Sequence, residues 1–107
     1  MSFRVVILQS AKNDLKDIKS YITRRFSAAT WQQTYEYLKQ AIRHLETHPY
    51  AGAMPEEVEK LNLNQYRQIV SGMNRVIYEI RGQIIYIHII ADTRKSLQAL
   101  LLKNLIQ

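Results

Sequence analysis

The amino-acid sequence predicts an α+β domain: an N-terminal strand, an antiparallel helical hairpin, a three-stranded antiparallel meander in the same sheet, and a short C-terminal helix. Three observations predict this class. Apolar residues recur at helical spacing in the first half of the chain, and the period changes to two after about residue 60. Two glycines then divide the second half into segments of strand length. Helices followed by a run of strands favour an α+β arrangement over an alternating one.

The chain begins with a short strand and the first helix. The apolar, β-branched run Phe3–Leu8 is typical of a buried strand. Ser10 is suited to cap a helix from about Ala11 to Phe26, because its hydroxyl can accept from free backbone N–H groups of the first turn. The apolar face of this helix consists of Ala11, Leu15, Ile18 and Ile22.

A second amphipathic helix follows after only a few residues. Ser27 or Thr30 can cap it, and its pattern ends before Pro49. A connection this short predicts that the two helices form an antiparallel hairpin. The apolar face of the second helix consists of Trp31, Tyr35, Leu38, Ile42 and Leu45.

Three strands are expected after a polar connector, at Tyr66–Ser71, Arg75–Arg81 and Ile84–Ala91. Turns that contain Gly72 and Gly82 separate them, which favours a meander. A two-residue turn at Gly82 predicts a face that receives the helices and contains Val76, Tyr78, Ile80, Ile85, Ile87 and Ile89. The opposite face should be at least partly open, with Arg81 opposite Ile84, Glu79 opposite Tyr86, Ile77 opposite His88 and Arg75 opposite Ile90.

The C-terminal segment predicts a last helix that starts near Asp92 or Thr93. Its apolar residues are Leu97, Leu100, Leu101 and Leu105. Leu102 and Ile106 lie about a third of a turn away, where a monomer would expose them. We therefore predict that Leu102 and Ile106 contribute to a partner-binding surface, unless the sheet edge or the first helix buries Leu102.

Composition restricts the function classes. The 107 residues suffice for a single domain over residues 1–107, and the absence of cysteine excludes disulfides, thiolate metal sites and cysteine nucleophiles. No apolar run is long enough for a membrane helix, and no signal-peptide layout is present, so we expect a cytoplasmic protein. The net charge of +6 favours polyanionic or acidic partners. We predict no cofactor and no metal.

Four local patterns in the right order resemble the RelE/ParE superfamily of bacterial toxins, and most closely its ParE-like branch. They are Ala11-Lys-Asn-Asp-Leu-Lys-Asp-Ile-Lys-Ser-Tyr-Ile22, Leu45-Glu-Thr-His-Pro-Tyr-Ala-Gly52, Tyr66-Arg67, and Gly72-Met-Asn-Arg75-Val-Ile-Tyr78. Arg94 matches an arginine that the family has near the end of the last strand. Asn74 stands where the family often has an aromatic residue, and Asp92 where it has a histidine, so no proton-transfer role is carried over to Asp92.

The resemblance implies a toxin of a two-gene toxin–antitoxin module, with a cognate antitoxin as its partner. The ParE-like branch inhibits DNA gyrase by binding, whereas the RelE-like branch cleaves messenger RNA on the ribosome. We favour gyrase, because the connector that should carry basic residues is acidic and holds only Lys60, and no tyrosine or histidine follows His88. The alternatives are a ribonuclease and a non-toxic basic binding module, and a homodimer is possible.

The candidate site residues follow from this resemblance and from the strand pattern. For target binding they are Arg67, Arg75, Arg81, Arg94 and Lys95. For a ribonuclease they are Arg67, Arg75, Arg94, His88 and Tyr86. Structural roles compete with these: Arg75 can pair with an acid, Arg67 can pair with Asp92 or a helix carboxylate, and Tyr78 can belong to the core.

Overall fold

A four-stranded sheet between helices forms the structure, a computed structural model that describes residues 2–59 and 65–106, without the side chains of residues 58 and 104–106. Its elements are β1 (Arg4–Ile7), α1 (Gln9–Arg25), α2 (Ala28–His44), α3 (Glu56–Glu59), β2 (Tyr66–Ser71), β3 (Asn74–Arg81), β4 (Ile84–Asp92) and α4 (Leu97–Ile106). This order confirms the predicted α+β class. Among these residues, no helix is both long and apolar enough to cross a bilayer.

The strand order in the sheet is β1-β4-β3-β2. The meander β2–β3–β4 is antiparallel throughout, and β1 lies parallel to β4, with Val5 opposite Ile85. The hairpin of α1 and α2 therefore connects β1 to β2, which lie at opposite edges of the sheet and run in the same direction, and a connection between parallel strands needs such a crossover. As expected, the first strand belongs to the same sheet as the meander.

The helical hairpin packs on one face of the sheet and forms the larger core cluster with it. The sheet presents β-branched and aromatic side chains to this face, and the helices present the apolar stripes expected from the sequence. The buried residues of this cluster are Ala11, Leu38, Ile42, Leu45, Val76, Tyr78, Ile85, Ile87 and Ile90.

Helix α4 covers part of the opposite face, which was expected to be at least partly open. Its Leu97 and Leu101 are buried against Ile77, Ile89 and Ala91 of the sheet. Burial of each leucine contributes roughly 1.5–3 kcal/mol, which is enough to hold a short helix in place. The end of this face near the β3–β4 turn remains open, and Arg81 is exposed there.

A β-bulge explains which sheet residues face α4. From Arg81–Ile84 to Tyr78–Ile87, the β3–β4 pairs are those predicted. The register then shifts between Ile77 and Tyr78, so that Ile77 pairs with Ile89 rather than with His88. The predicted pairs of Ile77 and Arg75 are therefore wrong, and Ile89 lies on the α4 face while Ile90 joins the hairpin core.

The predicted Ser10 cap of α1 and the predicted start of α4 are wrong, whereas the Ser27 cap of α2 is confirmed. Helix α1 begins at Gln9 without a side-chain cap, and Ser10 instead donates from its hydroxyl to the His88 carbonyl at 2.7 Å. Ser27 caps α2, as expected, by accepting from the backbone N–H of Thr30 at 3.0 Å. Helix α4 begins at Leu97 rather than near Asp92, because β4 extends to Asp92 and a turn follows.

Candidate functional site

The open end of the α4 face holds a carboxylate between an arginine and a histidine. Glu79 of β3 has a side chain that is only 8% exposed, and its two oxygens lie 2.9 Å from His88 Nε2 and 2.9 Å from Arg81 Nε. Burial raises the pKa of the Glu79 carboxyl, but the hydrogen bonds from Arg81 and His88 outweigh burial and hold that pKa below its ordinary value. Glu79 is therefore ionised and fully engaged at neutral pH.

Two tyrosines flank this carboxylate. The ring of Tyr66 meets the ring of His88 edge to face at 5.1 Å, and the Arg81 guanidinium lies 5.5 Å from the centre of the Tyr86 ring. Burial, followed by the Glu79 charge, raises the pKa of the Tyr66 hydroxyl. This tyrosine consequently remains a neutral hydrogen-bonding group near pH 7.

Arg75 is a buried structural residue that links several elements, and it is not a surface cation. The residue is 9% exposed, and its Nη1 donates to Glu57 at 3.1 Å and to Gln68 at 3.3 Å. Its Nη2 donates to the carbonyls of Thr93 at 2.8 Å and Lys95 at 3.2 Å. One side chain thus joins β3 to α3, to β2 and to the turn that precedes α4.

Arg67 belongs to a second intramolecular cluster, under the chain that leaves the helical hairpin. Its Nη1 donates to the Gly52 carbonyl at 2.7 Å, and its guanidinium lies 5.0 Å from the centre of the Tyr50 ring. The Tyr78 hydroxyl donates to the Pro49 carbonyl and accepts from the Gly52 N–H. Arg67 therefore bonds to a backbone carbonyl and not to Asp92 or a helix carboxylate. Tyr78 is a core residue, as the structural alternative predicted.

Asp92 and Arg94 form an ion pair at the end of β4 that is far from the β3–β4 turn. Both Arg94 Nε and the Arg94 backbone N–H lie 2.8 Å from Asp92 Oδ1, and Arg94 Nη2 lies 2.8 Å from Oδ2. The side-chain hydrogen bonds from Arg94 lower the pKa of the Asp92 carboxyl to about 2. The Arg94 side chain is still 74% exposed, and Lys95 beside it is exposed as well.

The structure brings together only some of the residues predicted from the sequence. Tyr86, His88 and Arg81 form one cluster, whereas Arg94 and Lys95 lie at the other end of β4. Sequence reasoning missed Glu79 as the centre of the first cluster and Glu57 as the partner of Arg75. An acidic residue within the apolar strand β3 was the available signal, because a carboxylate is rarely buried without a partner.

The predicted partner-binding surface is described only at one of its two residues. Leu102 is 53% exposed, as expected for a residue off the packed face of α4. The side chain of Ile106 lies outside the described residues. Within residues 2–59 and 65–106, no three His, Asp or Glu side chains come together as a metal-binding group.

Comparisons with known proteins agree with this fold. The chain matches the family model described as the ParE toxin of the type II toxin–antitoxin system parDE over residues 5–97. A chain of the chromosomal ParDE toxin–antitoxin system from P. aeruginosa superposes with a TM-score of 0.71 at 14% identity, covering 85% of this chain and 96% of that one.

A second solved structure comes from the RelBE2 toxin–antitoxin complex of Mycobacterium tuberculosis. It superposes with a TM-score of 0.57 at 19% identity, covering 86% of this chain and 99% of that one. At these identities the two structures show the shared fold, and no curated protein matches by sequence. The family match, however, spans most of the chain and includes both β3, which carries Arg75 and Arg81, and Arg94 after the end of β4. The chain therefore belongs to the ParE toxin family of type II toxin–antitoxin systems.

Proposed function

We propose that this toxin inhibits bacterial growth by binding DNA gyrase, that it does not cut RNA, and that a cognate antitoxin neutralises it. The match to the ParE toxin family over residues 5–97 carries the proposal. The ParE-like branch, which the sequence patterns resemble, inhibits gyrase by binding. Nothing in this mode of action requires a free acid or base on the toxin.

The contacts of the candidate residues support binding over catalysis. RNA cleavage by attack of a 2′-hydroxyl needs a base, an acid and a cation that converge on one phosphate. Here His88 is bound to Glu79, Arg94 is closed on Asp92, and Arg75 is buried by its intramolecular hydrogen bonds. A ribonuclease built from these residues would have to break existing interactions before it could engage a substrate.

The surface cations that remain for target binding lie in two places. Arg81 is at the β3–β4 turn, whereas Arg94 and Lys95 follow the other end of β4. The eight steps between Ile84 and Asp92 correspond to about 26 Å at about 3.3 Å per residue. One small contact area on a target cannot reach both places, so the two groups are to be tested separately.

Two assays distinguish the target. We expect the purified toxin to inhibit gyrase supercoiling and to leave messenger RNA intact in a ribosome-dependent cleavage assay. Arg81→Ala and Arg94→Ala are compared with Arg43→Ala, which removes the same charge from the exposed surface of α2. RNA cleavage together with undisturbed supercoiling would show that the ribonuclease alternative is correct. Absence of growth inhibition on expression would instead favour a non-toxic binding module.

An acidic, partly disordered segment is the expected form of the antitoxin. The net charge of +6 favours such a partner, and a segment that folds on binding can cover a large basic surface. Both solved structures named above come from toxin–antitoxin systems. Failure of the protein encoded by the neighbouring gene to bind at micromolar concentration would contradict this part of the proposal.

Leu102 provides a test of where partners bind. Because it is half exposed, Leu102→Ser should change the free energy of unfolding by less than about 0.5 kcal/mol. If α4 contributes to the docking surface, the same change weakens the antitoxin or gyrase complex. Leu101→Ser, at a position only 4% exposed, is the control that should destabilise the fold. Unchanged binding of both partners by Leu102→Ser would exclude this residue from either interface.

A further inference from the structure

Two histidines stack where the helical hairpin ends. His44 is the last residue of α2, and His48 follows four residues later, after a turn. The two imidazole rings are nearly parallel, with centroids 4.2 Å apart and an interplanar angle of 9°. The backbone N–H of His48 donates to the His44 carbonyl at 3.0 Å, so helical spacing continues across the turn and holds the two rings on one side.

Thr47, which lies between them, contacts both the His44 carbonyl and the His48 ring. The Thr47 hydroxyl lies 3.3 Å from the His44 carbonyl, to which it donates, and 2.9 Å from His48 Nδ1. A hydroxyl has one proton, so a Thr47 that donates to the carbonyl can only accept from Nδ1. In that arrangement His48 carries its proton on Nδ1, and Nε2 keeps its lone pair for a ligand.

We propose that His44 and His48 form a binding site for a divalent transition metal ion, completed by water. The oriented pair departs from the absence of metal expected from the sequence. Neutral imidazole is a preferred ligand of Zn²⁺, Ni²⁺ and Cu²⁺, and a second imidazole four residues away on a helical turn supplies chelation. The hydrogen bond from Nδ1 to Thr47 is the outer contact by which proteins commonly orient a ligating histidine.

The exposure of the two histidines determines how readily the site exchanges metal. Both histidines are exposed, and because the stacked rings are nearly parallel, at least one ring must rotate out of the stack for the two nitrogens to bind one ion. Residues 2–59 and 65–106 contain no group of three His, Asp or Glu side chains, so this part of the chain supplies two protein ligands, His44 and His48. The site should therefore exchange metal readily, favour Cu²⁺ over Ni²⁺ and Zn²⁺, and ignore Mg²⁺, which prefers oxygen ligands.

The third histidine of the chain is an internal reference. His88 is bound through Nε2 to the buried Glu79 carboxylate and is part of the sheet. Tag-free protein is titrated with Zn²⁺ and with Ni²⁺ near neutral pH, and the imidazole NMR signals are followed. We expect the signals of His44 and His48 to shift or broaden together at the same metal concentration, while those of His88 stay unchanged. Mg²⁺ should affect none of the three.

Single variants test chelation. His44→Asn and His48→Asn should each weaken Zn²⁺ binding by on the order of a hundredfold, since each removes the linked second ligand. Thr47→Val should retain both ligands and weaken binding less, while changing the tautomer signature in the nitrogen shifts of His48. Equal effects on all three histidines, or an affinity that neither single variant changes, would overturn the proposal.

Discussion

Arg75→Ala distinguishes a structural arginine from a target-binding one. The guanidinium donates to Glu57, to Gln68 and to the carbonyls of Thr93 and Lys95. Deletion of the side chain removes all four hydrogen bonds and releases the turn before α4. We expect a large loss of stability that is concentrated at the attachment of α4 to the sheet.

The size of the expected stability loss follows from the type of each hydrogen bond and from the exposure of its partner. A hydrogen bond from a charged donor is worth about 1.5–3 kcal/mol, so the two bonds to the carbonyls of Thr93 and Lys95 contribute at least about 3 kcal/mol. Glu57 has a side chain that is 42% exposed, so its ion pair adds no more than about 1 kcal/mol. Within the described residues, Arg75 Nε is buried without a hydrogen-bond partner, and its removal recovers about 1 kcal/mol. The expected loss in the free energy of unfolding is therefore about 3 kcal/mol.

Chemical denaturation and hydrogen exchange measure this loss. A change of about 3 kcal/mol lowers the Tm of a domain of this size by roughly 12–24 °C. Amide protection in α4 should fall more than protection in the helical hairpin. Arg43→Ala, which removes the same charge from the exposed surface of α2, is the matched control and should leave the Tm nearly unchanged. A stable Arg75→Ala protein that has lost only its affinity for gyrase would refute this reasoning.

Three further changes test other parts of the fold. Gly52→Ala should cost about 1–3 kcal/mol in chemical denaturation, because a Cβ atom there would lie 2.4 Å from the Gln68 carbonyl oxygen. Carboxyl NMR should give Asp92 a pKa of about 2, and Arg94→Ala should raise that pKa toward about 3.9. Because the folded-state pKa is lowered, the stabilisation from this pair is present above about pH 4 and is lost as the pH falls through about 2. Asp14→Ala should lose about 1–3 kcal/mol, because it leaves a β4 amide without an acceptor, whereas Asp14→Asn, which keeps an acceptor oxygen, should lose less.

The sequence predicts those elements that depend on local pattern. The predicted bounds of β2, Tyr66–Ser71, are those observed, and both helices of the hairpin lie where their apolar stripes place them. The start of α4 depends instead on tertiary contacts. Asp92 and Thr93 are suitable residue types for a helix cap, but Asp92 pairs with Arg94 and the Thr93 carbonyl accepts from Arg75. Neither contact can be read from the local sequence.

The sequence pointed to some of the side chains that cluster at the candidate site, but it did not select Glu79 as the centre of that cluster. Tyr86 and Glu79 were expected opposite each other, and they are, because the register is regular on that side of the bulge. The bulge itself has no local signal: Ile89, Ile90 and Ala91 are all apolar, so alternation cannot assign their faces. Tertiary packing assigns these faces: Ile89 and Ala91 lie against α4, and Ile90 lies in the core under the hairpin.

The end of β1 explains why Ser10 does not cap α1. Strand β1 pairs with β4 only as far as Ile87, so the backbone groups of β4 beyond that point lose their neighbouring strand. Ser10 donates to the His88 carbonyl and Asp14, one helical turn later, accepts from the Ile90 N–H at 2.9 Å. The first turns of α1 thus replace the missing strand residues at the bulge. Unpaired backbone groups inside the sheet would cost more free energy than an uncapped helix start, because water can reach and satisfy the exposed N–H groups of the helix. This difference explains why the Ser10 hydroxyl bonds to β4 and does not cap α1.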